Sequence, residues 1–358
     1  MLKDLLNSRN VPVIWDDKKN WGERRKEIID LLLKEEYGFM PKKPTDITFE
    51  TDFEDDSFCA GKALLRKVKA NIYFGEDKFT FPIYCALPNI EGKCPFIIHI
   101  NFRSDFPDRY MPCEEIVDRG YGVLMFNYED VSADDYHKPQ YTNDIYNILY
   151  KDTEIKKDSA GKITIWAEAA SWVLEYALTL PMADENNLIV AGHSRLGKTA
   201  LLAGALDERF KFVYSNDSGC SGAAISRNKI GETVKLITRD ETFKYWFCEN
   251  YLKYRDNEEN MPFDQHFLIA ASAPRYVYVA SAKLDDWADP ESEFLSCLAA
   301  SEVWEKLNKK GFITPDKLPE TNENVHEGDI GYHVREGKHY LSREDWQRFL
   351  NFVDSKIK

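Results

Sequence analysis

The seven cysteines, Cys59, Cys85, Cys94, Cys113, Cys220, Cys248 and Cys297, are odd in number, scattered, and contain no C-x-x-C pair. That pattern argues against a disulfide framework or a structural zinc site and suits a reducing compartment. Long apolar runs are missing as well: no window reaches the roughly 18 uninterrupted apolar residues of a membrane span. Positive charge is in short supply, 47 Lys and Arg against 61 Asp and Glu for a net charge of -14. No basic block tracks phosphates, so nucleic acid is not an expected partner, whereas a neutral ester or sugar is compatible with the charge. The opening MLKDLLNSRNVPVIW lacks the continuous apolar stretch and small-residue cleavage site of a secretory leader. A cytoplasmic location is the literal reading; a secreted or periplasmic chain trimmed of its leader would look the same.

What is present is a chain of 358 residues, 43% of them hydrophobic, enough for a sizeable core. No repeat or low-complexity linker divides it, so residues 1–358 are expected to form one domain. Its first 90 residues offer an N-terminal helix over 21–37, with Ile28, Ile29, Leu32 and Leu33 at helical spacing and Gly38 and Pro41 beyond. An antiparallel hairpin follows, ALLRKVKANIYF and KFTFPIYCAL around Gly75, Glu76 and Asp77. From about residue 90 apolar strands alternate with helices: strands at 95–102, 122–128, 187–192, 210–215 and 276–281, and helices near Glu114, over 164–180, after each of the last three strands, and from Ser342. Ser342, three residues before Asp345, resembles a capping box. This alternation predicts an α/β fold whose mostly parallel central sheet is covered on both faces.

The stretch LIVAGHSRLGKTALLAGAL, residues 188–206, drives a buried strand into a helix with Ser194 on the turn between them. Such a turn lies at the carboxyl end of the sheet and exposes its hydroxyl, while the N–H groups of the following helix face outward and can hold an oxyanion. Ser194 therefore reads as a nucleophile. The competing reading is a serine that only caps its helix. The motif departs from G-x-S-x-G, because Leu196 stands second after the serine and the glycine arrives at Gly197.

A serine nucleophile needs a histidine base and an acid that orients it, and in α/β-hydrolases they follow in the order Ser, acid, His. Of the seven histidines, His266, His326, His333 and His339 follow Ser194. His339, after the Gly337 turn and just before the last helix, is the preferred base, with His333 second. A metal site on His326, His333 and His339 is disfavoured, since the glycines between them break any helix and the spacing fits no zinc pattern. Two loops at carboxyl ends of strands offer the acid: SNDSGCSGAA with Asp217, and KLDDWADP with Asp285, Asp286 and Asp289.

GHSRLGKTAL, SNDSGCSGAAISR, MPFDQHFLIAASAPRYVYVASA, DDWADPESEFL and GYHVREGKH, in this order, resemble the bacterial branch of the glucuronoyl esterases, carbohydrate esterase family 15, over about residues 90–355. The family's motif G-C-S-R-x-G-K places its glycine third after the serine, as here. The resemblance implies an α/β-hydrolase three-layer sandwich in which Ser194 is the nucleophile and His339 the base. It also implies that Arg195 turns its guanidinium to the oxyanion, and that Lys198, Trp287 and, more weakly, Glu232 contact the sugar. Asp217 stands where many members carry a glutamate, in P-Q-E-S-G-S-G-G; Asp285 stands where other bacterial members place the acid. His193 and Tyr340 replace the two cysteines that fungal members join in a disulfide. The implied reaction is cofactor-free hydrolysis of (4-O-methyl)glucuronate esters on xylan, with a lignin unit as the leaving alcohol. Deacetylation of xylan or of short oligosaccharides on the same triad is the alternative.

Overall fold

The computed structural model describes residues 1–16, 18–135, 145–240 and 242–357. Among them one sheet of ten strands runs through the molecule: β1 Asp46–Asp55, β2 Ala63–Phe74, β3 Asp77–Pro88, β4 Cys94–Asn101, β5 Gly122–Asn127, β6 Ala183–His193, β7 Phe210–Asn216, β8 Tyr276–Ala282, β9 Asn324–Val325 and β10 Ile330–Arg335. Their spatial order is β1-β2-β3-β5-β4-β6-β7-β8-β10-β9. Strands β5, β4, β6, β7, β8 and β10 are mutually parallel; β1, β2 and β3 form an antiparallel edge at one side and β9 pairs antiparallel at the other.

The parallel strands are apolar on both faces because both faces are covered. In β4, Phe96, Ile98 and Ile100 enter one core with the helices α2, Lys162–Thr179, α3, Arg195–Leu206, and α4, Pro290–Lys306. Ile97 enters the opposite core with Ile116, Val117, Trp346 and Phe349, the last two from α5, Arg343–Lys356. The same alternation sorts Leu188 and Val190 of β6 from Ile189 and Ala191. Each fully buried aliphatic side chain contributes about 1.5–3 kcal/mol, so the register of these strands is tightly held.

A short helix, Leu2–Ser8, opens the chain; the expected helix over 21–37, α1, is α-helical over Trp21–Leu32, capped by the Asn20 side chain on the Glu23 N–H at 3.0 Å, and its last turn, Leu33–Tyr37, widens into π geometry before Gly38. This turn supports the region beyond β7: the Tyr37 hydroxyl donates to Ser221 O at 2.9 Å and Cys248 N–H donates to Glu36 O. The hairpin of β2 and β3 turns at Gly75, whose φ of +67° is open to glycine. The Ser342 capping box forms, reciprocally with Asp345. Beyond β7 the expected helix is replaced by a long polar loop, and the next helix, Val234–Ile237, is a single turn; the glycines and serines of SNDSGCSGAA favour turns over helix.

Candidate functional site

Ser194, Asp217, Asp285 and His339 all stand just beyond carboxyl ends of parallel strands, after β6, β7, β8 and β10 respectively. Ser194 holds φ 58° and ψ −127°, a conformation that costs a non-glycine residue about 1–3 kcal/mol. Its N–H donates to Asn216 O at 2.8 Å, and its carbonyl accepts from Gly197 and Lys198 as α3 begins. Although Ser194 occupies the N-cap position, its side chain makes no capping bond among the described residues. The conformation is also foreign to a cap, which sits in the β region. Gly192 is dictated by crowding: a Cβ there would stand 2.0 Å from Leu196 O.

His339 Nδ1 bonds Asp285 Oδ2 at 2.6 Å. Asp285 is buried and held in its own turn, with Oδ1 accepting from Ala288 N–H at 3.3 Å. With Nδ1–H donated to a carboxylate, Nε2 is the basic nitrogen of His339. The ring centroid of His339 lies 4.5 Å from that of His193, the residue before Ser194, so the histidine loop rests on the serine turn. His193 is buried between Phe102, Tyr110 and His339 and bonds Asn216 Oδ1 through Nδ1 at 2.6 Å. Burial first, and the neighbouring His339 second, push it down to about 3. A neutral ring beside His339 adds no repulsion when His339 takes up a proton.

Asp217 lies in the same group: one ligand atom each from Asp217, Asp285 and His339 falls within 4.8 Å of the others. Its Oδ2 accepts from Tyr340 N–H at 3.4 Å and faces Arg335 at 3.5 Å, while Oδ1 has no partner among the described residues. Burial raises its carboxyl well above the usual range, and Glu293, Asp345 and Asp285 add to this against Arg335. Of the two carboxylates left open by the sequence, Asp285 is thus the one bonded to the imidazole and Asp217 is bonded to the backbone next to it. Asp289 instead caps α4 through Ser292. His333, the second choice as base, is fully buried, its Nε2 on Asp345 at 2.9 Å and its Nδ1 on the Tyr278 hydroxyl, which also bonds His326.

Arg195 pairs with Asp134, with its guanidinium over the Trp246 ring at 4.6 Å, and Phe243 and Phe102 flank it. Asp134 also accepts from the Tyr245 hydroxyl and Trp246 Nε1, both at 2.7 Å, and from the Tyr128 hydroxyl at 3.1 Å. The three residues expected to meet sugar are linked to one another. Lys198, buried rather than exposed on its helix, donates to Glu232 Oε2 at 2.8 Å and to Ser218 O at 2.6 Å, and Trp287 Nε1 donates to Glu232 Oε1 at 3.2 Å. Trp287 is 49% exposed, which removes it from the core.

Sequence reasoning passed over Asp134, Arg335 and Glu293. A pointer to Asp134 existed in the acidic run YEDVSADD beyond the carboxyl end of β5. Glu293 is buried on α4 and accepts from Gly219 N–H at 2.9 Å and Ser281 Oγ at 2.5 Å, which fastens the Asp217 loop to β8. Burial above all raises it from 4.5 to about 7. A folded-state value above the unfolded one gives stabilisation that is complete below pH 4.5 and lost as pH climbs through 7. Glu293→Gln should therefore gain stability relative to the parent between pH 4.5 and 8, by about 2–3 kcal/mol in urea unfolding. A difference that stays flat with pH would contradict the assignment.

A profile of fungal glucuronyl esterases matches residues 70–308. A carbohydrate esterase of an unknown prokaryotic organism is 33% identical, over 94% of this chain and 85% of that one. The structure of a glucuronoyl esterase from Solibacter usitatus superposes with a TM-score of 0.86 at 31% identity, covering 97% of this chain and 98% of that one. A 4-O-methyl-glucuronoyl methylesterase of Podospora anserina is 29% identical over 81% of this chain and 57% of its own. No described helix is long and apolar enough to cross a membrane. With an α/β-hydrolase sheet, a serine turn at its centre and these relatives, the chain belongs to carbohydrate esterase family 15, the glucuronoyl esterases, and is a carboxylic ester hydrolase.

Proposed function

We propose that the protein cleaves esters of (4-O-methyl)glucuronate on glucuronoxylan through an acyl-enzyme on Ser194, with His339 as base and Asp285 as its orienting acid. The observation that carries the assignment is the 2.6 Å bond from His339 Nδ1 to buried Asp285, on a ring packed against the residue that precedes Ser194. His339 Nε2 takes the Ser194 proton as Oγ bonds to the ester carbonyl carbon. Arg195 and the N–H groups at the start of α3 hold the oxyanion, through charge-assisted bonds that strengthen as negative charge develops. The alcohol leaves with the proton from His339, and water then repeats the sequence to release the uronic acid. Lys198, Glu232 and Trp287 offer a charged pair and an open indole face, the chemistry that suits sugar hydroxyls and a sugar ring.

The test compares acid release from benzyl glucuronate with acetate release from acetylated xylo-oligosaccharide, for the parent and Ser194→Ala. Uronate release that falls by about 10⁶-fold in Ser194→Ala is expected. Acetate release alone moves the protein to the deacetylase reading, and full activity of Ser194→Ala removes the nucleophile.

A further inference from the structure

The segment that carries His339, residues 336–340, has no buried side chain: Glu336, Lys338, His339 and Tyr340 are exposed and Gly337 is half-buried. A surface loop of this kind opens readily unless something fixes its backbone. Here the fixing group lies inside the loop. Arg335, buried at the end of β10, donates from Nη1 to Glu336 O at 2.9 Å and from Nη2 to Lys338 O at 3.2 Å and to Tyr340 O. The carbonyls of alternate residues thus turn inward to one planar guanidinium, and the chain wraps it. Gly337, at φ +104°, makes the bend, and a Cβ there would approach Arg335 Nη1 to 3.2 Å.

The guanidinium is itself held rigidly. Its Nε donates to Asp345 Oδ2 at 2.7 Å; Asp345 caps α5 in the box with Ser342 and bonds His333 through Oδ1. Its Nη2 faces Asp217 Oδ2 at 3.5 Å. The backbone completes the attachment to the Asp285 loop, with Lys283 N–H on Arg335 O and Leu284 N–H on Gly337 O, both at 2.9 Å. We infer that Arg335 is a positioning residue for the reaction: by binding the carbonyls of residues 336, 338 and 340 it sets the place and angle of His339 against Asp285 and Ser194. The inference rests on the reading of His339 as the base. Arginine is required because five donors in a fixed fork serve three carbonyls and a carboxylate at once, which the single ammonium of lysine does not do.

The experiment uses the full chain with Arg335→Lys, Arg335→Gln and His339→Ala, measuring kcat and KM on benzyl glucuronate, melting temperature, and the downfield proton signal of the His339–Asp285 hydrogen bond. Arg335→Lys retains a cation beside Asp345 and Asp217, so it decides the question even where Arg335→Gln does not fold. The expected result is a folded Arg335→Lys protein with kcat down about 100-fold, KM unchanged and the downfield signal lost, as a displacement near 1 Å at the base predicts. Lower melting temperature with kcat and the downfield signal intact would make Arg335 a stabilising residue only and overturn the inference. Full activity of His339→Ala would instead remove the base assignment, and the inference with it, a result distinguishable from the first.

Discussion

Asp285→Asn is expected to lower kcat by about 10⁴-fold, at little change in KM for benzyl glucuronate. The carboxylate accepts the Nδ1–H of His339 at 2.6 Å and so leaves the Nε2 lone pair basic. A carboxamide in the same place offers its NH₂ to Nδ1, the imidazole proton moves to Nε2, and a base that already carries its proton cannot take another from Ser194. The loss is one of tautomer, so the fold and the binding of the sugar persist. The carboxylate also stabilises the imidazolium that forms, a contribution the neutral amide cannot make.

Asp217→Asn is the informative comparison. Asp217 is nearly inaccessible, and burial raises its carboxyl. It touches the Tyr340 N–H and the Arg335 guanidinium rather than the imidazole. Its replacement is expected to cost no more than about 100-fold, through displacement of the loop. The reverse order, with Asp217→Asn the more damaging, would show that His339 turns from Asp285 to Asp217 during turnover.

The sequence made the parallel half of the sheet easy to read because each of those strands is a short apolar run closed by turn residues. It concealed β1, whose DITFETDFED is charged and lies at an exposed edge, and β10, whose IGYHVR carries a glycine and a histidine. Ser194 and His339 could be proposed from their places relative to strand, turn and helix. The order of Asp217 and Asp285 could not, since both leave strand ends equally well and only loop geometry decides which reaches Nδ1. Arg335 gave no signal at all, because three of its partners are backbone carbonyls, which are alike in every sequence. The burial of Lys198 was hidden for a related reason: the Glu232 carboxylate that pairs with it comes from a loop distant in sequence.

Arg195→Ala is expected to lower kcat by about 10²–10³-fold, the usual cost of one oxyanion donor. The substitution also removes the cation from Asp134, a buried carboxylate left with Tyr128, Tyr245 and Trp246 as its donors among the described residues. Breaking a fully buried pair costs about 3–5 kcal/mol. Here 26% of the arginine side chain reaches solvent, so roughly 2–3 kcal/mol of unfolding stability is the expected loss. The two consequences separate in Asp134→Asn. That variant removes the carboxylate charge while Arg195 remains stacked on Trp246, Phe243 and Phe102, contacts that hold a guanidinium in place by about 0.5–2 kcal/mol each. Stability should fall in both variants, whereas kcat should fall steeply only in Arg195→Ala. Arg195→Lys should resemble the alanine variant more than the parent, because an ammonium lacks the planar face that stacks and the fork that serves Asp134 and an oxyanion together. Equal loss of kcat in Arg195→Ala and Asp134→Asn would mean that the pair acts as a structural unit, and the oxyanion would then rest on the N–H groups at the start of α3 alone.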